Sequence, residues 1–229
     1  MLKMVSNHDA RVFVYENAGH GFNCEARASY NQRAALLSQA RTIEFLHACI
    51  GPKVNAEELF DHHLFTALNQ KDIDGTMETL SEDAVITFVP TLSGGHGENE
   101  LKRFYKDLFK ALSGDAQLTT ISRTVNANRV VDELVLSFTH DRPMDFILPG
   151  VTPTQKKVTI PLVMLATFRL EKLSRMNVYW DQASVILQVG ILQDEDSPVS
   201  LHLPAHGSEQ ANKILDDSVK IQKIGSRIL

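Results

Sequence analysis

The chain has 229 residues, 43% hydrophobic and 22% charged, which suits one large domain, or a domain with an appendage, and excludes general disorder. Its formal charge is -5 with Lys and Arg scattered, so it carries no basic footprint for nucleic acid, and the two cysteines, Cys24 and Cys49, form no C-x-x-C pair for zinc. No signal-peptide pattern opens the chain and no apolar run is long enough to span a bilayer, so the expectation is a cytoplasmic protein with reduced thiols and no membrane partner.

Arg11-Val-Phe-Val-Tyr15 is β-branched and aromatic and reads as a strand. Gly19-His-Gly21 is a loop, and apolar residues at helical spacing from Leu36 to Leu46 predict a helix over 30–50, stopped by Gly51-Pro52. One strand and one helix cannot bury a core by themselves, so residues 1–51 form an appendage or the end of something larger. Beyond Pro52, Asn55 can cap a helix whose apolar face is Leu59, Phe60, Leu64, Phe65 and Leu68. A turn at Lys71–Gly75 leads to a short helix, then a strand over Ala84–Val89, a loop at Ser93–Gly97 and a helix over Glu98–Leu112.

The period then changes from helix to strand. Residues 118–126, 129–140, 156–169 and 173–192 read as four strands, with tight turns at Asn126–Arg129 and Leu170–Leu173 and a Pro-rich loop over 141–155. A second loop runs over 194–208, and a short helix begins near Glu209. Helices followed by antiparallel strands predict an α+β fold, a curved antiparallel sheet wrapped on helices, with a short N-terminal strand-helix appendage. The boundaries expected are 1–51 for the appendage, 52–194 for the cone and 195–229 for the C-terminal loop and helix. The mouth of such a cone is a natural ligand pocket.

Tyr179-Trp-Asp-Gln-Ala-Ser-Val-Ile-Leu-Gln-Val-Gly-Ile-Leu192 resembles the end of SnoaL-like, polyketide cyclase-type domains of the nuclear-transport-factor-2-like superfamily, in which an Asp on the last strand precedes a Gln-x-Gly ending. Asp181, Gln188 and Gly190 match that pattern, and Phe138–Gly150 with Pro153-Thr154 resembles one subgroup. The resemblance covers roughly Val54 onward. It implies a cone fold and cofactor-independent cyclase, isomerase or dehydratase chemistry, or a catalytically silent binding module. That subgroup tends to carry an acid three positions before the Tyr-Trp-Asp-Gln run, where this chain has Met176. The first segment, with Gly19-His-Gly-Phe22, resembles the C-terminal end of dienelactone hydrolases, in which His20 matches the triad histidine. A lone histidine has no nucleophile to activate, so esterase activity is not expected.

Alternation on a strand puts Tyr179, Asp181 and Ala183 on one face and Val178, Trp180 and Gln182 on the other. If the first face is concave, an apolar surround raises the Asp181 pKa toward proton-shuttling range, and Tyr179 can donate to a developing enolate oxygen. The catalytic candidates are therefore Asp181, Tyr179 and His140, the last as a second proton carrier or a rim residue. The alternative is an Asp181 that is fully paired and only orders the sheet. Expected ligand contacts are Trp180, His63, Phe88, Phe104 and Phe138, although the area of Trp180 also suits an outer face packed on a partner. His62-His63 with Asp61 lacks the i, i+4 spacing of helical metal ligands, so no metal and no cofactor is expected. The partners expected are a small apolar carbonyl compound and a second copy of the chain, since the Val158, Ile160, Leu162 and Met164 alternation leaves apolar material on the sheet.

Overall fold

A computed structural model of the chain describes residues 12–50, 54–191 and 206–216. Two compact units, residues 1–52 and 53–229, divide the chain, and each is described by itself.

In the first unit the Asn31 side chain accepts a hydrogen bond from the Ala34 amide at 3.0 Å and starts helix α1 (Gln32–Cys49). Residues 12–15 form no strand, and Arg11 lies outside the described residues. Strand propensity needs a neighbouring strand to complete its backbone hydrogen bonds, and among the described residues none pairs with this segment. Its aromatic rings make local contacts instead: Tyr15 packs on Phe22 at 5.3 Å, and the Arg41 guanidinium lies 4.1 Å over Phe13.

The second unit opens with helix α2 (Ala56–Leu64), capped by the Asn55 side chain and continued by a π-helical turn over Phe65–Gln70. Phe60, His63 and Thr66 are buried on one stripe of this segment. Helix α3 (Ile73–Glu78) leads into strand β1 (Leu80–Phe88). Ser93–His96, read above as a loop, is strand β2, paired antiparallel with β1. Gly94 makes this close pairing feasible: at φ +134 a Cβ would lie 2.0 Å from the Ile86 carbonyl oxygen. Helix α4 (Gly97–Ala111) follows, burying Leu101, Tyr105 and Leu108, with Glu100 accepting from the His96 amide at its start.

Strands β3 (Gln117–Asn126), β4 (Arg129–Thr139), β5 (Lys157–Arg169) and β6 (Lys172–Trp180) complete a curved, unclosed sheet in the order β2-β1-β6-β5-β4-β3. β1 and β6 run parallel and all other neighbours antiparallel. This is the α+β cone. Val158, Ile160, Leu162 and Met164 are all buried on its concave face, because a two-residue period puts them on one side. They supply the core, and Pro161, Val163 and Leu165 alternate with them on the outside.

The strand predicted over 173–192 ends at Trp180. Asp181 accepts from the Ala183 amide at 3.0 Å and caps helix α5 (Gln182–Gln188). The run Ser184-Val-Ile-Leu-Gln-Val189 is strand-like in composition, but a local cap and burial of Ser184 and Val185 against the sheet override that propensity. Helix α6 (Glu209–Leu215) also packs on β5. Among the described residues, no helix is long and apolar enough to cross a membrane.

Candidate ligand cavity

The concave sheet face does not meet the helices everywhere. Between them lies a cavity of about 420 Å³. Its floor is Leu136 and Phe138 from β4, Ile160, Leu162 and Met164 from β5, and Val178 and Trp180 from β6. Leu64 and Leu68 from the α2 segment and Leu108 and Leu112 from the end of α4 form the walls. Met144, Phe146 and Ile147, from the loop after β4, also line it.

Hydrogen bonds fix that loop. The Phe146 carbonyl accepts from the Thr91 and Ser93 hydroxyls at 2.8 and 3.2 Å. The Ile147 carbonyl accepts from Gln182 Nε2 at 2.8 Å, and Gln182 Oε1 in turn accepts from Trp180 Nε1 at 2.6 Å. The indole N–H is thus satisfied, leaving the apolar ring to the cavity. Phe88 packs edge-on against both Phe146 and Trp180, at 6.0 and 5.9 Å. The cavity is therefore built from fixed parts.

One end of the cavity is polar. Among the described residues, Asp61 and Arg123 are the only charged ones that line it. A β-bulge between Thr120 and Ser122 makes this possible. Before the bulge, Leu118 and Thr120 line the cavity; after it the parity flips, and Arg123 faces inward opposite Asp132 on β4. The guanidinium grips Asp132 with two bonds, Nε to Oδ1 at 2.7 Å and Nη2 to Oδ2 at 2.8 Å. Its Nη1 donates to Asp61 at 2.7 Å and to Glu57 at 3.4 Å. The Asp132 side chain is fully buried, whereas that of Asp61 is 59% exposed at the mouth. Hydrogen bonding to Asp132 is the main cause that pushes the Arg123 pKa above its already high ordinary value, so this cation is permanent.

The catalytic candidates lie elsewhere. β6 turns Met176, Val178 and Trp180 inward, which leaves Tyr179 exposed on the outer face. Asp181 does not line the cavity. Both its carboxylate oxygens are engaged, Oδ1 by the Ala183 amide and Oδ2 by Gln210 Nε2 at 2.9 Å. His140 is buried at the base of the 141–155 loop and also stays off the cavity wall. Its Nδ1 accepts from the Thr154 amide at 3.3 Å, and its Nε2 has no hydrogen-bond partner among the described residues. Burial pushes its pKa down, against a smaller upward pull from Asp141.

Of the expected ligand contacts, Trp180, Phe88 and Phe138 line the cavity. Trp180 thus faces inward rather than packing on an outer sheet surface. Phe104 stands behind Phe88 and borders a separate surface groove. His63 is a core residue in a closed chain of bonds. The Thr79 hydroxyl donates to the Thr76 carbonyl, so it accepts from His63 Nδ1 at 2.7 Å, and the Tyr105 hydroxyl donates to His63 Nε2 at 3.0 Å. Burial, with a smaller contribution from His62, lowers the His63 pKa to about 4. Among the described residues no cluster of His, Cys, Asp or Glu could hold a metal ion. In the first unit, His20 is exposed and its Nδ1 accepts from Arg27 Nη1 at 3.3 Å, a cation where a triad needs a carboxylate.

Sequence reading missed Arg123 and Asp132. Asp132 carried a signal, because it interrupts the apolar alternation Val130, Leu134, Leu136, Phe138 on β4. Arg123 carried none, since the bulge that turns it inward has no marker in the sequence.

The profile of the SnoaL-like domain family matches residues 62–176, just over half of the chain, and that of the dienelactone hydrolase family matches residues 3–50. No curated protein sequence matches the chain. Among solved structures, a provisionally assigned SnoaL-like polyketide cyclase from Jannaschia sp. CCS1 aligns with a TM-score of 0.53 at 20% identity, over 62% of this chain and 97% of that one. AclR from Streptomyces galilaeus, a provisionally assigned hydroxylase, aligns with a TM-score of 0.49 at 21% identity, over 62% of this chain and 89% of that one. The first of these likenesses is one of fold. By its cone architecture and by the span of the profile match, the chain belongs to the SnoaL-like domain family.

Proposed function

We propose that the second unit binds a small, largely apolar molecule in the cavity floored by Trp180, and that this binding does not use Asp181. The observation that carries the reading is a preformed apolar hollow of about 420 Å³ whose lining loop is hydrogen-bonded in place, while both oxygens of Asp181 are spent on a helix cap and on Gln210. An apolar molecule entering such a hollow gains the burial of its surface at little ordering cost to the protein.

A second reading, a cofactor-independent lyase or isomerase acting on an apolar carbonyl compound, is favoured by one fact: Asp61 is a carboxylate on the cavity wall. In that case Asp61 removes and returns the proton. Turnover would then disappear in Asp61→Asn and persist in Asp181→Asn.

Calorimetric titration with the neutral apolar probe N-phenylnaphthylamine tests the binding reading. Saturable binding is expected in the native protein. Leu136→Trp, which fills the cavity floor with a larger ring, is expected to weaken it at least about tenfold, roughly 1.4 kcal/mol. Equal binding by a folded Leu136→Trp protein would contradict the reading.

A further inference from the structure

We infer that the cavity selects molecules with a cationic or hydrogen-bond-donating head and discriminates against carboxylates; the inference rests on the cavity being the binding site. Three carboxylates, Glu57, Asp61 and Asp132, surround one cation, Arg123, at the polar end. Three negative charges against one positive charge leave the group with a net charge of two negatives.

Four of the five guanidinium N–H groups are committed. Its Nε and Nη2 serve the two oxygens of Asp132, and Nη1 serves Asp61 and Glu57. An incoming carboxylate would reach at most the second Nη2 N–H and only beside three carboxylates already gathered there, and displacing Asp132 to gain more would strand a buried charge. Asp61 stands differently. It gives Oδ1 to Arg123, its side chain is 59% exposed at the mouth, and among the described residues its Oδ2 accepts no hydrogen bond. That oxygen is open to a donor on a molecule whose apolar body lies against Trp180. The other polar side chains on the lining, Asn69, Ser113, Gln117 and Thr120, are neutral and do not offset the negative excess.

Trp180 is the single tryptophan of the chain, so its emission reports occupancy of this cavity directly. Decylamine, decanol and decanoate, each below its micelle threshold, share one apolar body and differ only in the head. The expected order of affinity is amine, alcohol, carboxylate, with about tenfold or more between first and last, since opposite charges attract by more than this factor even near a protein surface. Salt should narrow the gap by screening the partly exposed Asp61. Asp61→Asn, at an exposed position the fold tolerates, should largely close it. Decanoate binding as tightly as decylamine would overturn the inference while leaving the cavity a binding site. An amine preference unchanged in Asp61→Asn would overturn the assignment to Asp61. No response of Trp180 to any of the three would instead refute the binding reading itself, and this inference with it.

Discussion

Two corners of the same sheet hold carboxylates, and they hold them for opposite ends. At the β3–β4 end, Asp132 faces the concave side, fully buried, and is gripped by Arg123, which also reaches Asp61 at the cavity mouth. At the β6–α5 end, Asp181 sits one residue past the strand, turned away from the cavity, and caps a helix. The first corner is a charged cluster on the cavity wall; the second is a structural joint. Gln188 completes that joint by accepting from the Thr159 amide at 2.8 Å and donating to the Thr159 carbonyl at 3.1 Å, and Gly190, at φ +79, ends the segment. The Asp-to-Gln-x-Gly signature therefore describes, in this chain, how helix α5 is clamped to β5. A sequence signature can be strong because it fixes a fold.

The contrast can be broken most forcefully at the first corner. Arg123→Ala leaves Asp132 buried without a partner and should cost about 3–5 kcal/mol of stability, read by urea unfolding. Replacing both members by leucine should recover much of that loss, because the buried charge goes with its partner. A single-variant loss no larger than that of an exposed ion pair, about 1 kcal/mol or less, would mean that water reaches Asp132.

A pH series tests the core beneath the cavity. His63 is neutral in the folded protein, its pKa lowered from 6.5 to about 4 by burial. The unfolded chain takes up the proton first as the pH falls. The His63 contribution is therefore intact above pH 6.5, is lost progressively down to about pH 4, and changes no further below it. The loss should approach about 3 kcal/mol, taken as the difference between the native protein and His63→Gln in parallel urea titrations. A difference that does not vary with pH would mean that His63 has the same pKa in the folded and unfolded chains, and so is not held neutral by burial.

Much of the architecture was legible in the sequence. Helical spacing located α1, α2 and α4, and the change to a two-residue period located β3, β4 and β5 within a residue or two. What misled was local composition. Gly94 and Gly95 made β2 look like a loop, although in a strand they allow close approach of β1 and α4. The β-branched run after Asp181 made α5 look like a continued strand. The site was half legible. The aromatic residues Phe88, Phe138 and Trp180 were found, because large apolar side chains near strand ends have few other places to go. The facing of β6 was open in the sequence, yet Met176, Val178 and Trp180 alternate with Asn177, Tyr179 and Asp181, and the apolar set goes inward. Arg123 was out of reach, because a bulge reverses the alternation that sequence reading relies on.

The smallest effect is the one that separates the two corners most cleanly. Asp181→Asn keeps a side-chain oxygen for the cap, so its stability cost should stay below about 1 kcal/mol. N-phenylnaphthylamine titrated into the native protein and into Asp181→Asn, and followed by energy transfer from Trp180, should give the same affinity within about twofold, roughly 0.4 kcal/mol. A folded Asp181→Asn protein that has lost the probe would contradict the account and return the site to that carboxylate.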